Sequence, residues 1–198
     1  MDDFLEIIAY RRRQGLYTLL YYVCWAFIIL FALTAAFSLA NIIGMNPETG
    51  GMLFSWQSLL MTLVFGGAAF LLWRASDNCR VEYDYTFTNG NLDVSRVLNN
   101  KRRKYLTALE IKDVIRCGPA KGPAFAKTLN EPGIKRHNWF VNREANLYFF
   151  YFQKKGLKHV IILELTDEMV DLIRSKRYMQ LGVWYDAEGK QSYGAGIS

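Results

Sequence analysis

Four consecutive cations, Lys101, Arg102, Arg103 and Lys104, stand in the stretch LNNKRRKYL at residues 98–106. The chemistry of such a run is attraction to anions. Each Lys or Arg near an anionic leaflet contributes about 1 kcal/mol, an effect that decays over a Debye length of roughly 8–10 Å. These four are the candidate contacts for lipid headgroups or a protein partner; the other use of such a run is a solvated turn. Few other residues are arranged for chemistry. Cys24, Cys79 and Cys117 are far apart and form no C-x-x-C pair, so no disulfide is expected. His137 and His159 lack ligand-like spacing, so no metal site is expected. GPAFAKT, residues 122–128, echoes a phosphate-binding loop, but Ala126 stands where its second glycine belongs and Pro123 lacks a backbone donor. No nucleophile elbow or H-E-x-x-H motif accompanies the serines, histidines and acids, so no catalytic residue and no cofactor is assigned. Asp167, Glu168 and Asp171 read as the first turn and solvated face of a helix.

What holds the basic run is set by two apolar segments ahead of it. Residues 16–40 are uncharged, with only Thr18, Thr34 and Ser38 polar, and residues 52–73 are uncharged with Ser55, Gln57, Ser58 and Thr62 polar. At about 1.5 Å per residue each can cross a hydrocarbon core about 30 Å thick, and both are read as transmembrane helices. The first is too long for the apolar region of a cleaved signal, about 7–15 residues, so it reads as a retained anchor. Arg11, Arg12 and Arg13 precede the first span, and Arg74 and Arg80 follow the second, whereas residues 41–51 contain no Lys or Arg. The positive-inside rule then gives a cytoplasmic segment at 1–15, an extracytoplasmic loop at 41–51 and both termini in the cytoplasm of a multi-pass plasma-membrane protein. Neither span holds an ionisable Asp, Glu, Lys or Arg, which argues against a transporter or pump. Ala32, Ala36 and Ala40, with Gly66, Gly67, Ala68 and Ala69, suit close helix packing; pairing within the chain is preferred, and self-association into a homo-oligomer is the other use. MDDFLEIIAY reads as a short amphipathic helix with Phe4, Ile7 and Ile8 on one side, lying on the inner leaflet.

Beyond Asp77 the chain changes character, and residues 80–180 read as a mainly-β (α+β) cytoplasmic domain with a tail at 181–198, expected to be only partly ordered. VEYDYTFT alternates with period two and runs into Asn89–Gly90, the dipeptide suited to a type I′ turn, so a first hairpin is expected. KYLTALEIKDVIRC supplies one or two further strands, with Leu106, Ile111, Val114 and Ile115 as core candidates. NLYFFYF is apolar on both faces and reads as a buried or curled strand that returns through KKGLK to HVIILEL. Five to seven strands result. Thr166 caps a final helix with Met169, Leu172 and Ile173 as its apolar stripe and Gly182 as its stop. The connection at 117–145 is long enough to be a binding surface or a mobile segment.

The block YDYTFTNGNLDVSRVLNNKRRKYLTALEIKDV, followed by LYFFYFQKKGLKHVIILELTDEMVDLIRSKR, resembles bacterial pleckstrin-homology-like membrane proteins, and especially an uncharacterised Clostridia-type family with two transmembrane helices. The resemblance covers most of residues 80–180. It implies a PH-like, partly open β-barrel capped by a C-terminal helix behind a membrane α-helical hairpin, and it supplies no catalytic residues. In lipid-binding members of the wider class, basic residues flank the first hairpin loop. Here that loop is Asn89–Gly90 and the basic run falls one turn later, so the resemblance carries no phosphoinositide site across.

Residues 80–198 hold 20 Lys and Arg against 13 Asp and Glu. With the domain tethered to a membrane, anionic lipid headgroups are the partner within constant reach, and nucleic acid is not expected. The function read from the sequence is a non-enzymatic, membrane-anchored interaction module presenting its PH-like domain to a protein partner or to the anionic inner leaflet. The alternative is an accessory or regulatory subunit of an envelope enzyme or transporter complex.

Overall fold

The computed structural model describes residues 3–12, 14–45, 50–175, 177–179 and 182–192. The chain forms two compact units, Met1–Arg12 with Val81–Ser198, and Arg13–Arg80. Strand β1 (Phe4–Ala9) opens the first of these, where the sequence suggested an amphipathic helix. Leu5, Ile7 and Ala9 turn to the core while Phe4, Glu6 and Ile8 face away, the period-two pattern of a strand. Backbone pairing across six residues, described below, satisfies amide and carbonyl groups that a short isolated helix leaves partly unbonded at its ends.

The second unit is a helical hairpin. Helix α1 (Gln14–Ala40) leads through strands β2 (Ile43–Met45) and β3 (Met52–Phe54) to α2 (Trp56–Ser76). Ser55 caps α2, its hydroxyl accepting from the Ser58 amide at 3.2 Å. Both helices are long and apolar enough to cross a membrane. Their contact follows a seam stepping by four and three residues, Tyr21, Cys24, Ile28, Phe31 and Ala35 on α1 and Ser58, Thr62, Phe65, Ala69 and Leu72 on α2. Phe31 and Phe65 lie with ring centroids 5.6 Å apart, and Gly66 leaves room for Ala35. Ala32, Ala36 and Ala40, expected to mediate the pairing, are exposed instead. The neighbouring stripe through Ile28, Phe31 and Ala35 fills the seam instead.

The remaining elements are β4 (Val81–Thr88), β5 (Asn91–Leu98), β6 (Arg102–Glu110), β7 (Val114–Pro119), α3 (Pro123–Leu129), β8 (Ile134–Trp139), β9 (Leu147–Lys154), β10 (Leu157–Glu164), α4 (Asp167–Arg174), β11 (Val183–Tyr185) and β12 (Gln191–Ser192). They form a four-stranded sheet in the order β1-β4-β5-β6 and a six-stranded sheet in the order β12-β11-β7-β9-β10-β8. The strands thus make two sheets, not one closed barrel. β1 pairs antiparallel with β4 from Phe4↔Thr88 to Ala9↔Tyr83, so the domain that begins at Val81 is completed by residues from the far side of the helical hairpin in sequence.

Asn89 and Gly90 hold φ of 47° and 91° in the β4–β5 turn, as its dipeptide predicts; a Cβ at Gly90 would also lie 2.7 Å from the Tyr178 ring. Tyr85, Phe87, Leu92 and Val94 from one sheet and Val114, Cys117, Phe150, Ile161 and Leu163 from the other share one core, joined by Met169, Val170 and Ile173 of α4. Thr166 caps α4 by accepting from the Met169 amide at 3.4 Å. β9 is apolar on both faces because each face is covered. Phe150 and Phe152 turn into the shared core, while Phe149 and Tyr151 lie in a second cluster with Phe125 and Leu129 of α3. Over half of the connection at 117–145 is regular structure, and the segment read as a partly ordered tail supplies the short strands β11, parallel to β7, and β12.

Candidate functional site

The basic run begins in a turn and ends in an edge strand. Asn99 and Asn100, with φ of 50° and 51°, reverse the chain between β5 and β6, and the Lys101 amide donates to the Leu98 carbonyl at 3.0 Å. From Arg102 onward the run lies in β6, where side chains alternate between faces and split the four cations into two groups. Arg103 turns to the face shared with Asp84 and Glu6. Its guanidinium lies 2.9 Å from Asp84 Oδ2 and 3.6 Å from Glu6 Oε1. Burial pushes the Asp84 carboxyl above its ordinary range, Arg103 opposes that shift, and the charge of Glu6 adds to it. Arg103 is thus the internal counter-ion of a buried carboxylate, tying three strands together.

Lys101, Arg102 and Lys104 are exposed, and none forms an ion pair among the described residues. Lys104 stands directly across from Arg96 of β5, and Arg96 from Tyr83 of β4. Like charges opposite one another in a sheet are destabilising, by a few tenths to about 1 kcal/mol. Burial raises the Tyr83 phenol above its ordinary range, and the nearby charges of Arg96 and then Arg11 oppose it, so two further guanidiniums converge on this part of the sheet. Arg96 was not among the residues singled out from the sequence. Its signal lies in the hairpin register: Leu98 pairs with Arg102, which places Arg96 opposite Lys104. The chain leaves the sheet after Ala9 and returns at Val81. Because Val81 pairs with Leu98 and Tyr83 with Ala9, the β5–β6 turn lies at that same end of the sheet.

Of the arginines assigned to topology, Arg11 and Arg12 lie just past β1, where the Arg12 amide donates to Asn142 Oδ1 at 3.0 Å. Asn142 in turn donates to the Tyr10 carbonyl and to Glu164 Oε1, both at 2.9 Å. Arg74 is exposed in the last turn of α2, and Arg13 lies outside the described residues.

GPAFAKT supplies Gly122, at φ 106°, as the N-cap of α3 and all but the last residue of that seven-residue helix, whose Phe125 packs on the six-stranded sheet. A cleft of about 420 Å³ beside it is lined by Arg116, Lys127, Glu131, Tyr185 and Gln191. Its one acid is already paired: Glu131 lies 2.6 Å from Arg116 and 3.2 Å from Lys158, and the Arg116 hydrogen bond leads the effects that hold its carboxyl below the ordinary range. Among the described residues no three His, Cys, Asp or Glu side chains are grouped to hold a metal ion. Cys117 is buried, which pushes its thiol far above the ordinary range.

Two sheets around a shared core, with a helix at the C-terminal side of the chain, are what a pleckstrin-homology-like domain of the bacterial kind is built from. The chain belongs to the bacterial PH-like domain family (DUF6106), whose model matches residues 1–182 and so takes in β1, the helical hairpin and every element through α4. No curated protein and no solved structure matches the chain.

Proposed function

We propose that the protein is a non-enzymatic, membrane-anchored module whose PH-like domain meets the anionic inner leaflet through one basic end of its four-stranded sheet. In this reading α1 and α2 span the plasma membrane as a hairpin with both termini in the cytoplasm. The domain is a partly open barrel whose two sheets are bridged by α4. The sheet pairing supports the topology: β1 precedes the hairpin and β4 follows it, and two strands can share hydrogen bonds only in one compartment. The excess of Arg at residues 11, 12, 13, 74 and 80 favours the cytoplasm as that compartment.

The observation that carries the lipid contact is the Arg96↔Lys104 pair. Two cations are placed face to face at the end of the sheet from which the chain departs, with Lys101 and Arg102 beside them and no carboxylate paired to Lys101, Arg102 or Lys104 among the described residues. Cations gathered at one end of a sheet are drawn to an anionic surface. Lys101, Arg102 and Lys104 are the contact residues, and Arg103 serves the fold. The full-length protein in lipid nanodiscs tests this by the rate at which an amine-acylating reagent modifies each lysine, read by mass spectrometry. Lys101 and Lys104 are expected to react several-fold more slowly in phosphatidylglycerol-containing discs than in phosphatidylcholine discs, with the difference abolished by salt and Lys190 unaffected. Equal rates in the two lipids would leave the run as a solvated turn.

A second reading, an accessory subunit of a membrane complex, is favoured by the exposure of Ala32, Ala36 and Ala40 on α1. Its test is whether Ala36→Leu abolishes a helix-mediated complex isolated in mild detergent.

A further inference from the structure

The two histidines, 22 residues apart in the chain, are brought together by the sheet. β8 runs parallel to β10, and its register sets His137 opposite Ile161 and Lys135 opposite His159. His137 Nε2 lies 3.3 Å from His159 Nδ1, with the rings stacked at a centroid distance of 5.5 Å. Phe152 stacks on the far side of His159, and Trp139 lies against His137. Lys154 closes the group from β9, at the same end of the sheet as Lys135, because the β9–β10 turn pairs it with Leu157. Neither Lys135 nor Lys154 has an ion-pair partner among the described residues. The group is therefore two adjoining imidazoles and two ammoniums on three adjacent strands, with no carboxylate paired to either lysine among the described residues.

We propose that His137, His159, Lys135 and Lys154 form a binding site for a phosphate group. A divalent metal does not fit: two nitrogens are too few donors, no third ligand joins them, and the lysines repel a cation. A phosphate fits each feature. With both rings neutral, one N–H is shared between them, which leaves one outward nitrogen carrying a proton and the other bare. Taking up one proton at the bare nitrogen makes both outward nitrogens donors, and a phosphate oxygen can accept from either while the lysines balance its charge. In the absence of an anion that protonation is opposed. Burial lowers the affinity of both rings for a proton, as does Lys135 of β8; Lys154 of β9 and the neighbouring His137 act further on His159. Phosphate binding and proton uptake are thus linked, each favouring the other. This site uses none of the residues of the proposed leaflet contact and stands or falls separately from it.

The chain contains only these two histidines, so ring NMR signals report the site without background. The full-length protein in phosphatidylcholine nanodiscs is titrated with pH in three conditions: alone, with inorganic phosphate, and in discs containing phosphatidic acid without soluble phosphate. The midpoint of the histidine titration is expected to rise by about one pH unit when the anion is bound, a tenfold change in proton affinity. A rise with inorganic phosphate alone identifies a soluble phosphate ligand, a rise with phosphatidic acid alone a lipid headgroup, and a rise with both a site for phosphate from either source. No rise in either condition overturns the proposal. Lys135→Gln with Lys154→Gln, both at exposed positions, should raise the midpoint without anion and remove the response to it. A response that survives this change also overturns the site as drawn.

Discussion

Replacing Arg103 with Gln isolates the one member of the basic run that the domain itself uses. The substitution keeps a polar side chain on β6 but removes the charge that faces Asp84, whose side chain is only 9% exposed, from 2.9 Å. Breaking a fully buried ion pair costs roughly 3–5 kcal/mol. Arg103 is itself more than half exposed, and solvent screens the pair, so about 2 kcal/mol is the expected loss. The pH dependence follows from the direction of the Asp84 shift. Burial raises its folded-state pKa above the unfolded value of about 3.9. Between those two values the folded state holds a proton that the unfolded chain has released, so stability falls as pH rises through that window. Losing Arg103 moves the upper limit of the window higher. The penalty should therefore be complete at neutral pH and shrink as pH falls toward the unfolded carboxylate value. Asp84→Asn in the same chain should recover most of it, because the unpaired charge is gone. Chemical denaturation in mild detergent, followed by near-UV circular dichroism, measures the cycle of single and double variants at neutral and mildly acidic pH. Lys104→Gln, the control, removes only a like charge facing Arg96 and should leave stability unchanged or raise it by up to about 1 kcal/mol. Equal effects at Arg103 and Lys104, or a penalty that grows on acidification, would refute this division of the run.

Two further outcomes follow from the packing. Ile7 turns to the core and its neighbour Ile8 is half exposed, so Ile7→Asp should cost about 3 kcal/mol and lose amide protection along β4, while Ile8→Asp should cost within about 0.5 kcal/mol; equal effects would argue against a strand at β1. A Cβ at Gly118 would fall 2.5 Å from the Tyr185 carbonyl oxygen, so Gly118→Ala should part β11 from β7, lowering stability by about 1–3 kcal/mol and speeding hydrogen exchange at residues 183–185.

Elements with clean local patterns are legible in the amino-acid sequence itself. The Asn89–Gly90 turn, the strand pair through Lys155 and Gly156, and the Thr166 cap each rest on residues adjacent in sequence, whose backbone preferences decide the outcome. β1 is not legible because its outer face is half apolar: Phe4 and Ile8 mask the alternation of Leu5, Ile7 and Ala9, and its partner β4 lies beyond two long helices. The doubly apolar face of β9 announces burial on both sides, but what covers the second face, α3, lies in a Pro- and Gly-containing stretch with too short a periodic signal. Distance in sequence also hides the divided role of the basic run. Arg103 looks like its neighbours until strand pairing places Asp84 and Glu6 on its side of the sheet, and Arg96 gains interest only once the hairpin register sets it against Lys104. The same holds for the histidines, which have no ligand spacing in sequence and touch only because β8 enters parallel to β10.

The claim on which the rest depends is that β1 and the domain beginning at Val81 share the cytoplasm, with the loop between α1 and α2 outside. Labelling with a membrane-impermeant thiol reagent measures this in intact cells and after permeabilisation. The native Cys79 is compared with a cysteine introduced at Thr49, and Cys117 is silent because it is buried. Thr49→Cys is expected to react in intact cells and Cys79 only after permeabilisation. Reaction of Cys79 in intact cells with the loop position protected would contradict it.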